Sequence, residues 1–196
     1  MAILYHFACA SWYNTTALYE SGFDNMRFSF LPWVITKSIT DLTPEFLQSK
    51  GVKLLMLDFD NTIVPYTTDT PSGEIAEWLE KMAASPVQIC VVSNSHKDRV
   101  KVFCGGRGID CITHAKKPFP KGIRACVEKY GLPESSCALA GDQIYTDVLG
   151  ANSAGVKSIL VKAINNHNFW LKARHALEMP WILVSRKRRI NHEEFR

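Results

Sequence analysis

Two aspartates one residue apart, Asp58 and Asp60, end a short apolar run in the stretch Lys53 to Tyr66, which reads KLLMLDFDNTIVPY. Leu54 to Leu57 suit a strand buried on both faces of a parallel sheet. In extended chain, residues two apart point the same way, so both carboxylates would face one side at the strand's carboxyl end. Two anions that close are unfavourable without a cation or a shared proton, and the pair therefore suggests a metal or an acid/base site. Taken alone, Asp60-Asn61 could equally cap a polar turn. Further polar groups follow: Ser93-Asn94, Lys117 before Pro118, and Asp142 with Asp147. Each alone has an ordinary explanation as a turn, a solvated lysine or a helix cap.

The elements that must position these groups are legible from periodicity. Thr43 caps a helix with Pro44 at its first position, and Gly51 stops it before the first strand. Pro65 to Gly73 is a loop that hands over to an amphipathic helix carrying Ile75, Trp78, Leu79 and Met82 on one face. Buried strands are expected at Val87 to Val92, Ile109 to Thr113, Cys137 to Ala140 and Ser158 to Val161, with helices over Val100 to Phe103, Ile123 to Tyr130 and Val148 to Ala154 between them. Five strands alternating with helices, at about 25 to 35 residues per unit, predict a three-layer α/β/α, Rossmann-like fold with a parallel five-stranded sheet. All the polar groups named above then fall just past strand carboxyl ends, where open parallel sheets bind ligands.

The 196 residues suit one domain with a sizeable core, and 46% hydrophobic and 21% charged residues are ordinary for a globular chain. The net charge of +4 is modest, but Arg186-Lys187-Arg188-Arg189 stand together. The six cysteines form no C-x-x-C pair, so they read as buried thiols in a reducing cytoplasm. There is no apolar run of 18 or more residues. Residues 1–25 do not read as a secretory signal and are expected to form a weakly ordered extension before a functional start at Met26. Residues 26–166 form the main domain, and residues 167–196 an amphipathic helix and basic tail.

D-F-D-N-T, then S-N, then K-P, then G-D-Q-I-Y-T-D resembles the four ordered motifs of the haloacid dehalogenase (HAD) superfamily of phosphatases. The wording L-D-F-D-N-T, V-S-N-S, A-K-K-P and G-D-Q-I-Y-T-D-V-L-G-A-N is similar to the bacterial YqeG family, of HAD class IIIA, related to phosphatidylglycerophosphate phosphatases. The resemblance implies strand order 5-4-1-2-3. It makes Asp58 the nucleophile that forms an aspartyl-phosphate and Asp60 the proton donor and acceptor. Asp58, the Asp60 backbone carbonyl and Asp142 become ligands of Mg2+. Asn61, Thr62, Ser93 and Asn94 would hold the phosphoryl oxygens, and Lys117 would supply balancing charge. Asp147 would orient Lys117 or the metal's waters.

Asp58 to Ser93 spans 35 residues and Ser93 to Lys117 spans 24, which leaves no room for a large cap domain at either usual position. An uncapped site suits substrates that cover it themselves, such as lipid head groups. Phosphatidylglycerophosphate is the substrate implied by the resemblance, a soluble sugar phosphate or nucleotide the alternative. The aromatic and basic segment from Phe169 to Arg189 suits peripheral contact with the inner face of a membrane, and as easily packs on the core. Binding of RNA or a ribosome by Arg186 to Arg189 is a third reading, disfavoured here. His96, His114 and His167 read as surface or packing residues. The oligomeric state is not legible.

Overall fold

The computed structural model describes residues 28–96, 98–165 and Trp181. The expected extension at residues 1–25 and, apart from Trp181, the C-terminal segment at residues 167–196 lie outside the described residues.

In chain order the elements are β1 (Val34–Thr36), a 3-10 turn (Ile39–Asp41), α1 (Pro44–Ser49), β2 (Leu54–Leu57), α2 (Gly73–Ala83), β3 (Gln88–Val92), α3 (Arg99–Gly105) and β4 (Asp110–Ile112). Then come α4 (Lys121–Tyr130), a 3-10 turn (Glu134–Ser136), β5 (Cys137–Gly141), a π-helical turn (Ile144–Val148), α5 (Leu149–Ala154) and β6 (Lys157–Val161). The sheet is six-stranded, in order β1-β6-β5-β2-β3-β4, and every pairing is parallel. The architecture is thus a parallel three-layer α/β, Rossmann-like fold. The expected five strands keep their expected order, and the count is corrected to six.

The added strand, β1, has three residues at the sheet edge, paired with β6 from Val34 opposite Ile159 to Thr36 opposite Val161. Its length is too short to display a period, and Pro32 sits just before it, so nothing in the sequence marks it as strand. Its β-branched residues suit the role, and the Trp33 N–H donates to the Ser158 carbonyl at 2.8 Å to begin the pairing.

Both faces of β2 are covered, as its unbroken apolar run requires. Leu55 and Leu57 pack in a cluster with Leu47 of α1, Trp78 and Met82 of α2 and Phe103 of α3. Leu54 and Met56 point the other way, among Ile123, Cys126 and Val127 of α4 and Ala151 and Ala154 of α5. All four β2 side chains are fully buried, at roughly 2 kcal/mol apiece. The strand that carries the first motif is therefore held on both faces and both edges.

Local chemistry sets the helix starts. The Thr43 hydroxyl accepts from the Phe46 N–H at 3.2 Å with Pro44 at the first position of α1, and the Ser72 hydroxyl accepts from the Ile75 N–H at 3.4 Å to open α2. The Trp78 indole N–H donates to the Leu42 carbonyl at 2.9 Å, tying α2 to the segment before α1. The described cysteines, Cys90, Cys104, Cys111, Cys126 and Cys137, are free thiols, most of them buried. Trp181 packs with Phe30 and Ile35 on Ile144, Val148 and Leu160, its ring 4.9 Å from that of Phe30. This one aromatic of the C-terminal segment therefore lies against the domain.

Candidate active site

Asp58 continues β2 by one residue, its N–H donating to the Ala140 carbonyl of β5 at 2.8 Å. Phe59 then turns into the core, where its ring meets Phe103 edge-on at 5.2 Å. That alternation sends the Asp58 side chain into the crevice at the strand ends. The chain closes at once into a tight turn: the Asn61 N–H donates to the Val64 carbonyl at 2.7 Å, and Asn61 has φ 66°, a left-handed conformation that asparagine tolerates.

The Lys117 ammonium is buried between two carboxylates, 2.6 Å from Asp58 Oδ1 and 2.7 Å from Asp147 Oδ1. Lys117 precedes Pro118 across a cis peptide bond. Its backbone N–H donates to Asn94 Oδ1 at 2.7 Å, and Asn94 Nδ2 donates to the Lys117 carbonyl at 2.8 Å. The second and third motifs are thereby bolted together through both edges of one amide. Ser93 is buried, and its hydroxyl accepts from the Ser95 N–H at 3.0 Å.

Asp147 reaches the cluster from the π-helical turn after β5, where the Gln143 N–H donates to its Oδ2 at 3.1 Å. The approach depends on Gly141, because a Cβ there would overlap the Asp147 carboxylate. Asp142 follows directly, and its Oδ2 accepts from Asn61 Nδ2 at 3.3 Å. The Asn61 amide also stitches in the chain beyond β6, donating to the Asn165 carbonyl at 2.9 Å and accepting from the Asn165 N–H at 2.9 Å. Thr62 is buried beside it.

Carboxylate oxygens of Asp58, Asp142 and Asp147 lie within 4.8 Å of one another, all three residues buried. Asp58 Oδ2 has no hydrogen-bond partner among the described residues. The Asp58 carboxyl is raised to about 7: burial pushes it up most, the Lys117 ammonium pulls it down, and the Asp147 and Asp142 carboxylates push it up. Burial pulls Lys117 downward, but Asp147 and Asp58 outweigh it and hold the ammonium well above the ordinary lysine value. A hard divalent cation suits such a donor set: three clustered oxygen acids, one with an oxygen left over. Asp147 thus belongs among the candidate ligands beside Asp58 and Asp142.

Asp60 Oδ1 lies 3.4 Å from an Arg99 nitrogen of α3, and Asp60 is not one of the three carboxylates whose oxygens cluster within 4.8 Å. Arg99 is the residue that sequence reasoning missed. Its guanidinium also pairs with Asp69 at 2.8 Å, donates to the carbonyls of Pro65, Tyr66 and Thr68, and lies 5.1 Å from the Phe59 ring centroid. It clamps the loop after the first motif against Asp60.

Over 132 residues the chain is 38% identical to "Probable phosphatase YqeG" of Bacillus subtilis (strain 168), covering 67% of this chain and 77% of that protein. The chain belongs to the YqeG family of HAD-like hydrolases. It is a HAD-type phosphatase, acting on phosphomonoesters. The HAD-hydrolase-like family model matches residues 114–176. A second relative, "Phosphatidylglycerophosphate phosphatase 1, chloroplastic/mitochondrial" of Arabidopsis thaliana, is 30% identical over 150 residues, 69% of this chain and 41% of that longer protein. Among solved structures, a HAD-superfamily hydrolase from Ehrlichia chaffeensis has a TM-score of 0.49 at 14% identity, covering 67% of this chain and 98% of that one.

Proposed function

We infer that this YqeG-family phosphatase is a Mg2+-dependent hydrolase that removes the terminal phosphate of phosphatidylglycerophosphate through an aspartyl-phosphate on Asp58. The observation that carries the reading is the buried Lys117 ammonium held between Asp58 and Asp147, with Asp142 in the same cluster.

In the first step an Asp58 oxygen attacks phosphorus while the bond from phosphorus to the leaving alkoxide breaks, and Asp60 gives that alkoxide a proton. In the second, water attacks phosphorus, Asp60 takes the water's proton, and the bond to Asp58 breaks. Arg99 contacts Asp60 through Oδ1. Lys117 keeps Asp58 ionised for attack and balances charge on the transferring group, with Ser93 and the backbone at Thr62 and Asn94 holding its oxygens. Asp58, the Asp60 carbonyl, Asp142 and Asp147 would hold Mg2+, which supplies positive charge against the phosphoryl oxygens when bound.

The likeness to the Arabidopsis enzyme supports the lipid substrate, as does the short connection between the first two motifs. Among the described residues no helix is long and apolar enough to cross a membrane. We place the enzyme in the cytoplasm, meeting its substrate peripherally at the inner face of the membrane.

The test is turnover on a panel of phosphatidylglycerophosphate, glycerol 3-phosphate, sugar phosphates and nucleotides, with and without Mg2+. The reading expects phosphatidylglycerophosphate to give the highest kcat/KM, and chelation of the cation to abolish it. A higher kcat/KM on a sugar phosphate or nucleotide would replace the lipid with a soluble substrate.

A further inference from the structure

The loop pair that holds Ser93 and Lys117 has a second, outward side. Four hydrogen bonds zip Ser93–His96 to Thr113–Lys117: Ala115 N–H to the Ser93 carbonyl at 3.0 Å, His114 N–H to the Ser95 carbonyl at 3.4 Å, and the two Asn94 bonds to the Lys117 backbone. Along the second loop burial alternates, with His114 and Lys116 exposed and Ala115 and Lys117 buried. The alternation is maintained by left-handed backbone at two non-glycine residues, His114 with φ 57° and Lys116 with φ 56°. Such conformations persist where the surroundings impose them and gather at ligand-binding segments. Gly122 of α4 supplies part of that constraint, since a Cβ there would collide with the Ala115 backbone. The exposed rings of His96 and His114 meet edge to face, centroids 4.0 Å apart, and His114 Nδ1 faces the Thr113 hydroxyl at 3.2 Å.

His96, His114 and Lys116 are thus exposed on the same two loops that carry Ser93 and the Lys117 that contacts Asp58. Neither imidazole nor Lys116 has a role in the phosphoryl-transfer steps above. We propose that His96, His114 and Lys116 form a second anion subsite, which takes a negatively charged group of the substrate lying one short linker beyond the scissile phosphate. The inference rests on the phosphatase reading and deepens it. In phosphatidylglycerophosphate a three-carbon glycerol bridge separates the terminal phosphomonoester from a phosphodiester. With the monoester at Asp58 and Lys117, the diester is carried outward to imidazole N–H donors and the Lys116 ammonium, which bind it by charge-assisted hydrogen bonds. The subsite distinguishes a substrate with two phosphates from one with a single phosphate, and it acts on binding rather than on bond breaking.

The test uses the full chain with Mg2+ and two soluble probes, short-chain phosphatidylglycerophosphate below its micelle concentration and glycerol 3-phosphate. The variants are His96→Asn with His114→Asn, and separately Lys116→Asn, since asparagine tolerates left-handed backbone. For the two-phosphate probe kcat/KM falls roughly tenfold or more, chiefly through KM, which is the loss expected for one or two charge-assisted hydrogen bonds. For glycerol 3-phosphate it stays within about twofold of the parent on the same scale. Equal losses on both probes, or variants that keep the parent's preference, would overturn the subsite while leaving the lipid reading intact. A parent enzyme that hydrolyses glycerol 3-phosphate with no preference for the two-phosphate probe would overturn both.

Discussion

Lys117 shows how strongly a single residue is determined here. Its ammonium contacts Asp58 and Asp147 at 2.6 and 2.7 Å in a buried cluster. Removing one partner of a buried ionic cluster leaves the others uncompensated, so Lys117→Met should cost about 3–5 kcal/mol of folding stability. Urea unfolding with a chelator present measures it, and an unchanged or raised midpoint would show that the cluster does not need its cation. Asp58, Lys117 and Asp142 were legible in the sequence because each stands beside a distinctive neighbour, in D-F-D-N-T, K-P and G-D. Arg99 was not legible, because three of its partners are backbone carbonyls of Pro65, Tyr66 and Thr68, which any sequence presents alike.

At the scale of elements, the interior strands were read closely because a fully buried strand is an unbroken apolar run, as in Leu54–Leu57 and Cys137–Gly141. The edge strand Val34–Thr36 and the π-helical turn Ile144–Val148 escaped, the first for want of length, the second because it looks like the start of the following helix. That turn matters, since it delivers Asp147 against Gly141. Gly141→Ala should therefore displace the Asp147 carboxylate and lower kcat by at least about tenfold, while the circular dichroism of the folded chain is preserved. Parent-level kcat would show that Asp147 need not stand there. At one edge of the sheet, β4 is latched to α4 through Asp110 Oδ2, which contacts Lys129 Nζ at 2.7 Å and the Tyr130 hydroxyl at 2.9 Å. The Lys129 contact first, then the tyrosine bond, hold the Asp110 carboxyl below its ordinary value. A depressed carboxyl contributes stability above its unfolded value that is lost as pH falls through the folded one. Asp110→Asn should thus melt lower than the parent at pH about 7, and the gap should close in acid. A gap that persists or widens on acidification would contradict the latch.

Over the whole molecule, segments scattered from Asp58 to Asp147 meet at one rim because every sheet pairing is parallel and the strand order turns back beside β2. This placement was readable from the alternation of strands and helices, since strand carboxyl ends in an open parallel sheet share one edge. What reaches that rim from outside was less readable, because substrate contacts belong to loops whose conformation follows from long-range bonds such as Asn94 to Lys117. The rim serves as an active site only if Asp58 accepts the phosphoryl group, and that is the claim on which the others depend. Turnover of a phosphomonoester by Asp58→Asn in the presence of Mg2+, with folding verified by circular dichroism, tests it most directly. Phosphate release should fall by at least about 10³-fold, in line with removal of a covalent nucleophile. A folded variant that turns over near the parent rate would contradict the account.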